Sequence, residues 1–379
     1  MKKTLSVWVA ALLMLVAVSS CVPSSKGIQE LGKDVKVGQW YYVNLPGAVN
    51  SDGSQWNGYF RKGKLNKVIV LFSGGGVSVD SYTAARGMSV VPKGESFYID
   101  KMNVKDSFFL KSVRGGIASI GENNPFRDWT IVYLPYTTGD FHCGRTEKTY
   151  TNIKGENDTI FYHGYINYTM MMEKVLPYLG TPDALLITGF SAGGFGTSIL
   201  SEDVVKYFPN TKNITSCVDA SLLVHKDCKR LAQEEWNAPK EIVDRINGDN
   251  LSLECLKSLH KNCPDIKILF TCSARDETLT FFQHYFIDGT RPVPTREDGE
   301  AFEASLRNMV KEFQDSIPEG GVFIWNDIVT KPETGLTQHT IEILPEFLTD
   351  RSGNGSIASW INNAVNGKVE SKGLDLIAQ

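Results

Sequence analysis

An α/β fold of the α/β-hydrolase kind, a mainly parallel central sheet with helices on both faces, is predicted by three observations. Continuous apolar, β-branched runs recur at residues 68–72, 130–134, 184–188, 266–270 and 322–325. Such runs suit strands buried on both faces. Helical stretches separate them, at 165–179 and 297–315 among others, and this alternation favours parallel pairing. Finally, Gly189-Phe-Ser-Ala-Gly193 stands between the 184–188 run and a helix-compatible stretch at 194–200. Strand, G-x-S-x-G, helix is the setting of a nucleophile elbow, where a sharp turn lifts the serine hydroxyl above the strand ends.

From the N-terminus, Met1-Lys-Lys-Thr4 is a positive segment followed by an apolar core at 5–18. That core is too short for a stop-transfer helix. Val18-Ser-Ser-Cys21 closes it with small residues and a cysteine. It resembles the lipobox of bacterial lipoproteins, which implies acylation of Cys21. Residues 1–20 then form a lipoprotein signal peptide, 21–38 a polar tether, and 39–379 a single domain. The expected location is outside the cytoplasm, anchored by lipid to a bacterial membrane on the periplasmic or cell-surface side of the outer membrane.

Trp40-Tyr-Tyr-Val-Asn-Leu45 reads as a first strand. Gly58-Tyr-Phe-Arg-Lys-Gly-Lys64 nearly matches a phosphate-binding loop, but Leu65 stands where Ser or Thr is needed and a strand follows instead of a helix. It reads as a hairpin turn. Segments 87–127 and 200–260 read as insertions over the sheet edge that wall a cleft.

A serine nucleophile needs a base, an orienter for the base and donors for the oxyanion. Ser191 is the nucleophile. Asp276, after the 266–270 strand, is the orienting acid, with Asp219 as competitor. His339, after the 322–327 strand, is the base, and the order serine, aspartate, histidine is that of α/β-hydrolases. Ser73-Gly-Gly-Gly76 follows an early strand. Backbone N–H of Gly75 or Gly76, with that of Ala192, is expected to form the oxyanion hole, because glycine leaves room for close approach.

The net charge is −4, and lysine and arginine are scattered. No nucleic-acid partner is expected. The histidines are dispersed and no Cys/His spacing suits zinc, so neither metal nor cofactor is expected. Cys21 aside, the cysteines are Cys143, Cys217, Cys228, Cys255, Cys263 and Cys272. An even number in an exported chain suggests disulfides, with Cys217–Cys228 and Cys255–Cys263 favoured by proximity.

Together these pieces resemble the pectin acetylesterase family of Notum-like serine carboxylesterases, from about residue 65 to about 345. The resemblance is carried by Phe72-Ser-Gly-Gly-Gly76, Asn124-Pro-Phe-Arg-Asp-Trp129, Val132-Tyr-Leu-Pro-Tyr-Thr-Thr-Gly-Asp140, Phe190-Ser-Ala-Gly-Gly194, Ser273-Ala-Arg-Asp276 and Gln338-His339. It implies the triad Ser191, Asp276, His339 and an oxyanion hole of Gly75, Gly76 and Ala192. It also implies that Asp140 and His142 line the cleft and that Asp219 supports the serine-bearing helix. Val77 and Ser78 stand where Trp and Cys are common, and Phe190 where Cys is usual. The triad motifs are untouched, but the acyl and sugar pockets are open to doubt. The expected activity is removal of O-acetyl groups from a polysaccharide through an acyl-enzyme, by a monomer without a cofactor. The alternatives are a lipase or a deacylase of lipidated protein with the same triad, and a catalytically silent glycan-binding lipoprotein.

Overall fold

The computed structural model describes residues 28–102 and 114–378. The expected signal peptide and the expected acylation site, Cys21, lie outside the described residues. Nine strands form one sheet: β1 (Gln29–Glu30), β2 (Trp40–Val49), β3 (Gln55–Arg61), β4 (Lys67–Phe72), β5 (Thr130–Leu134), β6 (Ala184–Phe190), β7 (Ile214–Asp219), β8 (Lys267–Ser273) and β9 (Gly321–Trp325). Their order is β1-β2-β3-β5-β4-β6-β7-β8-β9. From β5 to β9 every neighbouring pair is parallel. β3 joins antiparallel to β2 and β5. Parallel pairing makes the chain return by a helix each time, so the strand C-termini share one edge and their loops meet there.

Side chains alternate across each strand. In β4, Val68, Val70 and Phe72 enter one apolar cluster, while Ile69 and Leu71 enter the other. β6 divides in the same way, with Leu185 and Ile187 opposite Leu186. One face is covered by α1 (Gly164–Val175), α2 (Ala192–Lys206), α3 (Leu251–Asn262), α4 (Glu277–Asp288) and α5 (Arg296–Ser316). The other is covered by α6 (Ile357–Val365) and irregular segments. The predicted α/β-hydrolase-like class is therefore the observed one. α5 begins with a Thr295/Asp298 capping box. α1 gives way to a 3₁₀ turn, Leu176–Tyr178, at Pro177, which has no N–H to continue the ladder.

Three expectations need correction. Gly58–Arg61 lies inside β3 rather than in a hairpin turn, and β3 and β4 are separated by β5. A Cβ at Gly58 would stand 2.4 Å from Met171 Sδ, so this glycine lets α1 approach the sheet. Segment 200–260 is no edge insertion, because it contains β7 in the body of the sheet and α3, which packs on α2. Nor do the favoured cysteine pairs form: all six described cysteines are free. Cys217 enters one apolar cluster and Cys228 the other, so the sheet separates them. Cys255 and Cys263 sit along α3 and at its C-cap, about 12 Å apart at 1.5 Å per residue, beyond the reach of a disulfide.

Candidate active site

Ser191 leaves β6 at φ 57°, ψ −128° and starts α2. Positive φ is costly for a non-glycine residue and persists only where the surroundings impose it. Here the Ser191 N–H donates to the Asp219 carbonyl at 2.9 Å, and the Ser191 carbonyl accepts from Ser221 Oγ at 2.9 Å. The glycine at Gly193 is demanded by packing. A Cβ there would lie 2.1 Å from the Phe72 carbonyl oxygen. The elbow thus exists because the first turn of α2 is pressed on the end of β4.

That end continues as the glycine loop. A Cβ on Gly74 would lie 2.6 Å from Ser191 Cβ, which places the loop against the nucleophile. The loop is held by its carbonyls and by Val77. Ile99 N–H donates to Gly75 O at 2.8 Å, and Val77 N–H donates to Phe97 O at 3.0 Å. Gly76 takes φ 81°, with no room for a Cβ beside Phe97 O. The N–H groups of Gly74, Gly75, Gly76 and Ala192 donate to nothing among the described residues. Free N–H groups beside a nucleophile at a helix N-terminus suit an anionic oxygen. Sequence reasoning named Gly75, Gly76 and Ala192 and missed Gly74, since nothing distinguishes members of a glycine run.

Asp276 caps α4, with Oδ1 accepting from Leu279 N–H at 2.9 Å. Its Oδ2 lies 2.7 Å from His339 Nδ1, and both residues are buried. A carboxylate at Nδ1 requires the proton there and leaves Nε2 as the acceptor. Nε2 is buried and has no partner. The structure therefore brings Asp276 and His339 together without a serine–histidine hydrogen bond, a contact that often tightens only with substrate. Thr340, next to the histidine, also has positive φ, 62°.

Asp219 does not orient the histidine ring. Its Oδ2 accepts from the N–H of Ile341 at 2.8 Å and of Glu342 at 3.0 Å. It therefore supports the loop of His339 through its carboxylate and the serine through its carbonyl. Glu342, fully buried, was missed by sequence reasoning, because an acid in the stretch 340–346 carries no signal by type or spacing. Among the described residues no group of three His, Cys, Asp or Glu side chains could hold a metal ion.

Asp140 and His142 are placed inside the protein rather than on a cleft wall. Asp140 accepts from Thr138 Oγ1 at 2.6 Å and from the N–H groups of His142 at 3.1 Å, Gly144 at 3.2 Å and Gly164 at 2.7 Å. Burial still pushes its carboxyl up to about 6. His142 Nε2–H donates to the Ser73 carbonyl at 2.9 Å, and its ring packs between Phe72 and Tyr136. It is a strut beneath the glycine loop.

Two outcomes follow from this packing. Gly193→Ala should cost about 1–3 kcal/mol of stability through overpacking. It should also slow fluorophosphonate labelling of Ser191 about tenfold or more by displacing the elbow, and unchanged labelling would refute the packing account. Burial lowers His142 to about 4, while an unfolded histidine titrates near ~6.5. Its folded-state pKa is depressed, so its contribution is complete above ~6.5 and is lost as pH falls toward 4, amounting to roughly 3 kcal/mol. Asp140 works in the opposite sense, so the measurement is the difference between wild type and His142→Gln. The variant's melting temperature should fall less steeply between pH 6.5 and 4, and parallel curves would contradict this.

A model of the pectinacetylesterase family matches residues 34–271, more than half of the chain. The match includes Ser191 and ends before Asp276 and His339. No curated protein matches. Two crystal forms of the Wnt deacylase Notum from Drosophila are similar in fold. One has 17% identity and a TM-score of 0.59, with 87% of this chain and 95% of that chain covered. The other has 16% identity and a TM-score of 0.57, with 87% and 94% covered. With the elbow, the glycine loop and the Asp276–His339 pair in place, the chain belongs to the pectinacetylesterase family and is a carboxylic ester hydrolase.

Proposed function

We propose that this protein removes O-acetyl groups from an acetylated polysaccharide through an acyl-enzyme on Ser191. The observation that carries the reading is the buried Asp276–His339 bond of 2.7 Å, with Nε2 unpartnered. Ser191 Oγ attacks the acetyl carbonyl while His339 Nε2 takes its proton. Ala192 N–H and a glycine-loop N–H stabilise the oxyanion. Collapse expels the sugar oxygen, which takes the proton from His339. Water, deprotonated by His339, then releases acetate and restores the serine. Asp276 holds the tautomer throughout.

A polar substrate is supported by a groove of about 590 Å³ lined by Asp80, Lys148, Tyr150, His225, Arg230 and Tyr285 among others. It includes Val79 and Asp80, just beyond the glycine loop. Hydrogen-bonding side chains with aromatic faces suit sugar rings. A second reading, deacylation of a lipid ester, draws on the aromatic cluster of Phe97, Phe281 and Phe282, since Phe97 is tied to the loop through Val77. We further place the mature protein outside the cytoplasm, held by lipid on Cys21, on the strength of Val18-Ser-Ser-Cys21.

Ser191→Ala and Asp276→Asn should each lower aryl acetate turnover about 10⁴-fold or more while the fold persists. The wild type should free acetate from acetylated pectin or xylan faster than fatty acid from an acylated peptide. Near-normal turnover by Ser191→Ala would end the triad reading, and preference for the acylated peptide would select the second one. For the anchor, intact-mass measurement of the mature protein should show a chain beginning at Cys21 and carrying diacylglycerol. A chain starting elsewhere or lacking lipid would remove it.

A further inference from the structure

Two carboxyl groups next to the Asp276–His339 pair have no part in the reaction as described. Asp219 and Glu342 are both 0% exposed. Asp219 Oδ2 is occupied by the N–H groups of Ile341 and Glu342. Glu342 Oε1 meets Thr188 Oγ1 in β6, a hydroxyl whose single proton also points to the Cys217 carbonyl at 2.9 Å. The remaining oxygens, Asp219 Oδ1 and Glu342 Oε2, are buried without a partner. Ionised carboxylates only accept hydrogen bonds. Two of them here would leave both oxygens unpaired and two like charges out of water, a costly arrangement. A single proton held between the two carboxyls would relieve both the like charge and the unpaired oxygens. The two backbone N–H groups favour Asp219 as the ionised member, which leaves the proton on Glu342.

We propose that Asp219 and Glu342 share one proton and together act as positioning residues, clamping the His339 loop to the strands that lead to the nucleophile. This rests on the triad reading above. The clamp joins Thr188 in β6, Asp219 at the end of β7 and the loop 339–342. The Cys217 thiol interacts with the Glu342 carboxyl, His339, Asp276 and the Cys272 thiol face Asp219, and neither carboxyl is paired with a lysine or arginine among the described residues. Burial raises both carboxyls, Glu342 well above the carboxylate range. With folded-state values above the unfolded ones, the contribution is complete in acid and is lost as pH rises through the folded values. Alkali should therefore strip the shared proton, leave two buried charges and loosen the loop.

The test uses the full-length protein. Glu342→Leu removes the shared hydrogen bond and should lower kcat for an aryl acetate about tenfold or more with little change in KM. Glu342→Gln should restore kcat to within about threefold at neutral pH, because its amide donates to Asp219 Oδ1 and its carbonyl accepts from Thr188. Glu342→Gln should also flatten the wild type's alkaline decline in kcat and melting temperature. Infrared difference spectra at neutral pH should show a protonated carboxyl band in wild type that Glu342→Gln lacks. No such band, the same alkaline decline in Glu342→Gln, or a glutamine variant as impaired as the leucine one would each overturn the proposal. The infrared and melting readouts need neither a foldable leucine variant nor an active Ser191, so they separate failure of the clamp from failure of the triad.

Discussion

Asp219 ties the two halves of the site together. Its carbonyl receives the Ser191 N–H at 2.9 Å, and its carboxylate receives two N–H groups from the loop of His339 at 2.8 and 3.0 Å. Hydrogen bonds to an ionised group contribute about 1.5–3 kcal/mol each, so the loop is held firmly despite its irregular backbone. Ser191 and His339 lie far apart in sequence, yet both are referred to the end of β7. The neighbouring β8 ends in the segment that carries Asp276, which caps α4 with one oxygen and holds the histidine with the other. The Asp276 carboxylate thus serves a helix cap and the imidazole at once.

The strain at the site is matched by its packing. Ser191 and Thr340 both take positive φ, a conformation that persists only when the structure around it over-determines it. Around Ser191 the over-determination comes from glycine contacts, where α2, the end of β4 and the glycine loop approach more closely than any Cβ allows. The same closeness sets the loop's free N–H groups beside the serine. His142 extends the support by holding the Ser73 carbonyl from within the core. A residue expected to line the cleft therefore acts on the glycine loop from behind.

Much of this was legible in the sequence, and the failures have physical causes. The buried strands β4, β5, β6, β8 and β9 announced themselves because both faces of a parallel sheet are covered and their side chains are mostly apolar. β7 did not, since Thr215, Ser216 and Asp219 are buried polar residues, of which Ser216 bonds Ser201 and Asp219 bonds the loop of His339. Asp140 and His142 looked like cleft residues because polar types usually face solvent. Four donors around Asp140 make its burial tolerable, and no spacing rule shows donors that arrive from a remote segment such as Gly164. The cysteine pairs failed because nearness along the chain says nothing about which face of a sheet a side chain enters.

By itself the sequence determined the fold class, the elbow at Ser191, the glycine loop and the chain order of Ser191, Asp276 and His339, because these depend on local periodicity and on residue types the proposed chemistry needs. Only the tertiary structure decided between Asp276 and Asp219. Asp219 ends β7, Asp276 follows β8 and both are buried, and the difference lies in which atoms meet them: an imidazole nitrogen for Asp276, two backbone N–H groups for Asp219. The buried partner of Asp219, Glu342, was likewise beyond reach of the sequence. Its role arises from desolvation and from like charge brought close by folding, and both exist only once distant segments share the same dry space.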